Sequence, residues 1–470
     1  MMIGLSATAT PKRLTDGRKR EATDMSVELV GGTREDLLGT AITSVGNAEG
    51  SPVRIPASRY HSSDFAALEE AHVWPRVWQI ACSVDHVSEP GDYFEYRVGP
   101  FAILIVRGRD GELRAFQNVC HHRGNVLCTG SGQGLKNLRC PYHGWMYDLR
   151  GQLTGVPSHK GFGKGLDRDS LALTPVQVDT WGPMVFVNPD LEAMSLAEYL
   201  EAVPGESAPL DLETFRCVAS MRTEAPANWK LVADGFSETY HVQTLHREML
   251  GCMDDIDAPQ TIWGHTGVSR QLYGVASPRL IRSDDATIWT SFVRTQGERM
   301  GITDPGGVPE VPPGQEMLDV IAQKIRDFQR ETKGIDLSRW DARQLLELQQ
   351  YNIFPNLTVL ITADLLQVLC ARPGSTPDEA ELIGMTFERE IPGTPRGRPF
   401  DVDVPMDQVD FGLVLNQDIA LLRDAQRGVK QPGFTHLNLS CEEARVINTH
   451  RNLERYIGIE PSEMTGGPAV

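Results

Sequence analysis

Residues 118–127 read NVCHHRGNVL and residues 138–148 read LRCPYHGWMYD. Each stretch carries one cysteine followed closely by a histidine, as Cys120-x-His122 and Cys140-x-x-His143. The chain holds only 8 Cys and 12 His in 470 residues, so this pairing, twice within a short span, points to a shared ligand. Two thiolates and two imidazoles would suit tetrahedral zinc, but common zinc spacings pair Cys with Cys and His with His. One of each from each loop suits a two-iron, two-sulfide cluster. There two thiolates hold one iron and two neutral imidazoles the other, which raises the reduction potential.

A second constellation lies in ANWKLVADGFSETYHVQTLH, residues 227–246. Read as one continuous helix, it places Asp234, Glu238 and His241 on a single polar face. His246 falls well around that helix, so for both histidines to meet one metal the helix must end or unwind between them. The β-branched Val242 and Thr244 do not oppose this. Two histidines need a carboxylate to complete a facial triad that leaves positions open for oxygen. Spacing leaves Asp401, Asp403, Asp407, Asp410, Asp418 and Asp424 as candidates.

These residues carry a resemblance. C-x-H-R-G followed by C-P-x-H-G-W resembles the Rieske loops of ring-hydroxylating non-haem iron oxygenases, and NWK…E-x-Y-H-x₄-H resembles the start of their catalytic domain. The resemblance runs over roughly residues 55 to 460. It implies Cys120, His122, Cys140 and His143 as ligands of one [2Fe-2S] cluster per chain, with His121 at the variable position. Gly124, Gly144 and Trp145 would shape and cover that site, and Cys128 would be a small buried thiol. It implies His241 and His246 as ligands of one Fe2+ per chain and Glu238 as the acid that bridges to a Rieske histidine. Many members carry Asp there; Glu resembles relatives acting on quaternary amines, among others. VLNQDIALLRDAQRG, residues 414–428, resembles the segment in which an Asp begins a helix, which selects Asp418, with Asp424 next. YNIFPNLTVL, residues 351–360, resembles a strand behind the iron. Asp234 reads either as a solvated acid or as a proton-delivering group.

The expected fold is α+β. Residues 1–50 form a flexible tail, in which Met25 is an alternative start. Residues 51–80 form a helical segment packing on the catalytic domain, with Ser62 or Ser63 as N-cap and Pro75 as terminator. Residues 81–195 form an all-β Rieske domain of short strands, with Asp110-Gly111 as a hairpin turn. Residues 196–470 form an antiparallel-sheet catalytic domain with helices, of the START-like helix-grip type. Helices are expected near 229–250, 315–332 and 417–428, and a loop over 303–314. Pocket residues are expected from 229–250, 280–300 and 350–365.

A net charge of −18 disfavours nucleic acid and anionic membranes as partners. No run of about 18 apolar residues predicts a membrane span. The scattered cysteines suit a reducing cytoplasm.

By resemblance, the chain is the terminal oxygenase component of a multicomponent system. It would insert oxygen from O2 into an aromatic or other hydrophobic small molecule, by dihydroxylation or monooxygenation. The alternatives are an oxidative N- or O-demethylase, a quaternary-amine monooxygenase, or, from another class, a Rieske electron carrier with a ligand-binding domain. No G-x-G-x-x-G fingerprint is present, so electrons from NAD(P)H require a separate reductase, with or without a ferredoxin. A head-to-tail homotrimer is expected, with or without a small beta subunit.

Overall fold

Residues 53–163 and 165–459 are described by the structure, a computed structural model; the expected tail and the alternative start at Met25 lie outside them. The described chain begins in β1 (Val53–Pro56), which pairs antiparallel with β20 (His436–Leu439) near its other end. Ser62 accepts a hydrogen bond from Phe65 N and starts α1 (Ser63–His72), which ends ahead of Pro75.

The chain then enters a seven-stranded sheet. Its members are β2 (Gln79–Ser83), β3 (Tyr93–Val98), β4 (Phe101–Arg107), β5 (Leu113–Gln117), β6 (Ser131–Gly132), β10 (Pro175–Trp181) and β11 (Met184–Asn188). All neighbours pair antiparallel, in the order β2-β11-β10-β5-β4-β3-β6. Gly111, at φ +84°, takes the left-handed position of the turn between β4 and β5. A three-stranded sheet of β7 (Leu138–Arg139), β8 (Met146–Tyr147) and β9 (Leu153–Gly155) packs against one face of the seven-stranded sheet.

An eight-stranded sheet follows, ordered β13-β14-β15-β16-β17-β18-β12-β19. It comprises β12 (Phe215–Ala225), β13 (Gln260–Ile262), β14 (Thr266–Leu272), β15 (Glu347–Ile353), β16 (Leu357–Ile361), β17 (Leu365–Pro373), β18 (Ala380–Arg389) and β19 (Phe400–Asp403). The expected antiparallel arrangement holds except at one edge, where β19 runs parallel to β12. The helices that dress this sheet include α2 (Trp229–Gly235), α3 (Val242–Leu245), α4 (Asp285–Gln296), α5 (Met317–Lys333), α6 (Leu413–Val429) and α7 (Ala444–Ile457).

One face of the seven-stranded sheet, with Ile103, Ile105 and Val187, joins the same apolar core as Phe215, Met221 and Val359 of the larger sheet. Its other face, with Leu104, Val106 and Phe116, forms a separate core with Leu138, Tyr147 and Leu153 beneath the cysteine loops. Burying each such side chain contributes about 1.5–3 kcal/mol.

The helix expected over 229–250 is broken. Asn228 caps α2 by accepting from Lys230 N at 3.1 Å, and α2 stops at Gly235. The reason lies in the sheet. The Phe236 carbonyl, which would continue the helix, accepts instead from Gln350 Nε2 at 2.6 Å and from Asn352 and Thr358 at 3.3 Å each. Asn352 also donates to Ser237 Oγ at 2.9 Å. Three side chains on the strand pair β15–β16 thus hold the bend that precedes the histidines.

Candidate functional site: two iron centres

The two cysteine loops are built alike. Gly124 N donates to Cys120 O at 3.0 Å, and Gly144 N donates to Cys140 O at 3.0 Å. Gly124 and Gly144 sit at φ +75° and +72°, so each loop closes through a backbone conformation that disfavours a side chain. Cys120 and Cys140 are buried, and the rings of His122 and His143 meet edge to face with centroids 4.5 Å apart. Trp145 stacks on His122 at 4.9 Å. His122 Nδ1 and His143 Nδ1 are both buried and lack a hydrogen-bond partner, as befits nitrogens that bind metal. His121 turns away, with Nε2 at 3.3 Å from Thr174 Oγ1. Cys128 is half-buried, and burial pushes its thiol up to about 11. The residues present fit a [2Fe-2S] cluster.

One contact here was missed in the sequence. Tyr147 Oη lies 3.5 Å from Cys120 Sγ and accepts from His121 N at 3.1 Å. A hydroxyl on a cluster thiolate raises the reduction potential. Its signal was its place on the β8 strand, directly after the second loop.

His241 and His246 flank the single turn of α3, as its N-cap and C-cap. The helix therefore runs between the histidines rather than unwinding there, and the break comes earlier, at 236–240. Asp234 does not share a helix face with Glu238 and His241, because α2 has already ended. Its carboxylate instead accepts from Tyr60 Oη at 2.6 Å.

His241 Nε2 and His246 Nε2 are 3.0 Å apart. Asp418 Oδ1 lies 3.0 Å from His246 Nε2 and 3.5 Å from His241 Nε2. Among the described residues this is the one group of His, Cys, Asp and Glu that converges as a single-ion site, its ligand atoms all within 4.8 Å of one another. Asp418 sits in the second turn of α6, which starts at Leu413 rather than at the aspartate. Asp424, the next candidate, is 79% exposed and pairs with Arg427. Asp401 and Asp403 bind His86 and Arg222 respectively. Asp410 accepts from Asn416 Nδ2. Two imidazoles and one carboxylate form the donor set of a non-haem ferrous site.

Both imidazoles are held from behind. The Glu238 carboxylate bonds His241 Nδ1 through Oε1 and accepts from His241 N at 3.1 Å through Oε2. Burial alone would depress His241, but the Glu238 contact outweighs it and raises the proton affinity of the ring. His246 Nδ1 meets Gln417 Oε1 at 2.7 Å, and Gln417 Nε2 donates to Glu248 at 2.6 Å. With Nδ1–H committed, each Nε2 lone pair faces the metal position. Gln417 was not singled out in the sequence, although it adjoins Asp418. A cleft of 560 Å³ between β2–β3 and β17–β18 contains none of these ligands.

Comparison with known proteins agrees with this geometry. Residues 77–177 match the Rieske [2Fe-2S] domain, and residues 212–459, more than half of the chain, match the ring hydroxylating alpha subunit (catalytic domain). The carnitine monooxygenase oxygenase subunit of Acinetobacter baumannii is 30% identical over 289 residues, 60% of this chain and 74% of that protein. The glycine betaine monooxygenase oxygenase subunit of Chromohalobacter salexigens is 31% identical over 209 residues, 44% of this chain and 46% of that protein. In fold, a quaternary ammonium Rieske monooxygenase superposes with a TM-score of 0.64 at 19% identity, covering 87% of this chain and 96% of its own. Naphthalene 1,2-dioxygenase from Rhodococcus sp. gives 0.59 at 20% identity, covering 87% and 95%. The chain belongs to the ring-hydroxylating alpha-subunit family of Rieske non-haem iron oxygenases. It is an oxidoreductase that uses O2, with a [2Fe-2S] domain and a mononuclear iron site at His241, His246 and Asp418. Among the described residues no helix is long and apolar enough to cross a membrane.

Proposed function

We propose that the chain is the oxygenase component of a monooxygenase acting on a small quaternary ammonium compound. The observation that carries this reading is Glu238. Its longer side chain folds back to bond both the ring and the backbone of His241, serving in the place where many relatives carry aspartate. The named relatives above, which act on carnitine and glycine betaine, support it. The reading replaces the aromatic substrate favoured by the motifs alone.

Ferrous iron, when bound, would supply the activation of dioxygen by which one oxygen atom enters a C–H bond and the other leaves as water, with two electrons and two protons consumed. The chain's own residues supply the geometry. His241, His246 and Asp418 hold the ion on one face, Glu238 and Gln417 fix the imidazoles, and Cys120, His122, Cys140 and His143 hold the electron-relaying cluster. His143 of one copy and Glu238 and His241 of the next would form the path between the two centres in a homotrimer, with or without a small beta subunit. Tyr142, 56% exposed and packed on His143, gives the cluster tip an apolar contact for that docking. A separate cytoplasmic reductase, with or without a ferredoxin, feeds the cluster.

The test is turnover with a reductase and NAD(P)H on carnitine, glycine betaine and choline beside naphthalene. Oxygen-dependent loss of a quaternary amine is expected. Turnover of naphthalene alone would overturn the substrate class. Roughly three irons and two sulfides per chain, falling to two and two in His241→Ala/His246→Ala, exclude a pure electron carrier.

A further inference from the structure

His246 is the most enclosed of the three iron ligands, its side chain 2% exposed against 12% for Asp418 and 23% for His241. Its orientation is settled by residues that bind no metal. Nδ1 faces Gln417 Oε1 at 2.7 Å, and Gln417 Nε2 faces Glu248 Oε1 at 2.6 Å. An amide has one accepting end and one donating end, told apart only by their partners. Gln417 by itself would serve either way round. Reversed, its Nε2 would donate to Nδ1, and the ring proton would sit on His246 Nε2, the atom that must bind iron.

Glu248 removes that choice. A carboxylate only accepts, so the amide nitrogen turns to Glu248 and the amide oxygen to His246. His246 Nδ1 then carries the ring proton. The Nε2 lone pair points to the place where Asp418 Oδ1 and His241 Nε2 each lie 3.0 Å from it. The carboxylate is itself held in place, in a short turn, Arg247–Met249, directly after His246. Met249 N donates to His246 O at 2.8 Å, and Ser277 N donates to Leu250 O at 2.7 Å. Gly251 backs onto Ser291 of α4 so closely that a Cβ there would collide with the Ser291 hydroxyl. The other imidazole is arranged differently, because Glu238 bonds His241 Nδ1 directly. At His246 a neutral amide stands between carboxylate and ring, and it passes on the direction of the hydrogen bond but not the charge.

We propose that Glu248 is a positioning residue of the iron site: acting through Gln417, it selects the His246 tautomer that binds the metal. It touches neither the iron position nor the ring of His246. The inference concerns the iron site alone and does not depend on which amine is the substrate.

Titration of the mononuclear site with ferrous iron tests it without substrate, and intact [2Fe-2S] absorbance shows that each variant is folded. Glu248→Gln loses the charge but keeps an oxygen that accepts from Gln417, so it should bind iron nearly as the parent does. Glu248→Lys donates to Gln417 Oε1, reverses the amide, and should lower ferrous affinity by about 10- to 100-fold. Adding Gln417→Glu to Glu248→Lys supplies a carboxylate that accepts from both the new ammonium and His246 Nδ1–H, and should recover most of the loss. A residue that only filled space would give no such rescue. An affinity in Glu248→Gln as low as in Glu248→Lys would assign the effect to charge and overturn the proposal, as would a double variant that recovers nothing. Should Glu248→Lys lose the cluster absorbance, Glu248→Leu takes its place. That variant leaves the amide free to turn, and an affinity equal to that of Glu248→Gln would overturn the proposal.

Discussion

Gln417 Oε1 lies 2.7 Å from His246 Nδ1, while the neighbouring Asp418 Oδ1 lies 3.0 Å from Nε2 of the same ring. Two consecutive residues of α6 therefore address opposite nitrogens of one imidazole. The first fixes the tautomer that the second and the metal require. Gln417→Ala should lower ferrous affinity by about 10- to 100-fold while the [2Fe-2S] absorbance stays intact. Iron titration of the metal-depleted variant measures this, and parental affinity would assign Gln417 to packing alone.

Glu238→Gln should leave both metal centres filled and cut product formation by about 10- to 100-fold. The amide retains the length of the side chain but not the charge that stabilises the His241 contact. Rapid-mixing measurement of cluster reoxidation should show the electron leaving more slowly. Undiminished turnover would refute the bridging role.

Lys230 and Glu69 are nearly inaccessible, at 0% and 3%, and pair at 2.6 Å between α2 and α1. Trp229 Nε1 also donates to Glu69 at 3.1 Å. Removing one partner strands a buried charge, so Lys230→Met should cost about 3–5 kcal/mol. Pairing it with Glu69→Leu should recover most of the loss. Thermal unfolding of the two variants separates a stranded charge from a simple packing defect, in which the double variant would be the worse.

His265 and His450 are buried, and burial lowers both below the ordinary 6.5. The folded chain therefore binds fewer protons at these rings than the unfolded chain does. Stability is fully present above about pH 6.5 and falls as pH drops below it, by up to about 1.4 kcal/mol per pH unit for each ring. His265→Gln can keep the 3.1 Å contact to Tyr456 Oη yet cannot titrate. Its unfolding midpoint should decline less steeply between pH 6.5 and 5, and an unchanged slope would exclude His265 as a source.

The Rieske loops were legible because cluster chemistry forces ligand types and glycines into a short, contiguous span. The strands around them followed from short runs rich in β-branched and aromatic residues, as in FAILIV and LRAFQ, with Asp110-Gly111 marking the turn. The iron histidines were equally visible, and the family pattern singled out Asp418 among six aspartates. The local backbone was not legible. Periodicity extends a helix through 236–240 because nothing in that stretch forbids one. The bend is imposed by Gln350, Asn352 and Thr358, more than a hundred residues later. The same limit hid the Tyr60–Asp234–His450 contact, which joins three segments distant in sequence.

The distance along the chain between the short turn of α3 and the carboxylate on α6 has a consequence for how an active molecule comes into being. The histidines arrive at 241 and 246, and their acid only at 418. A nascent or clipped chain that stops before Gly412 carries every residue of the cluster site yet lacks the third iron ligand. Such a fragment would be a wire with no terminus, able to accept electrons and unable to spend them on oxygen. Completion of α6 is thus the step that turns a redox protein into an enzyme.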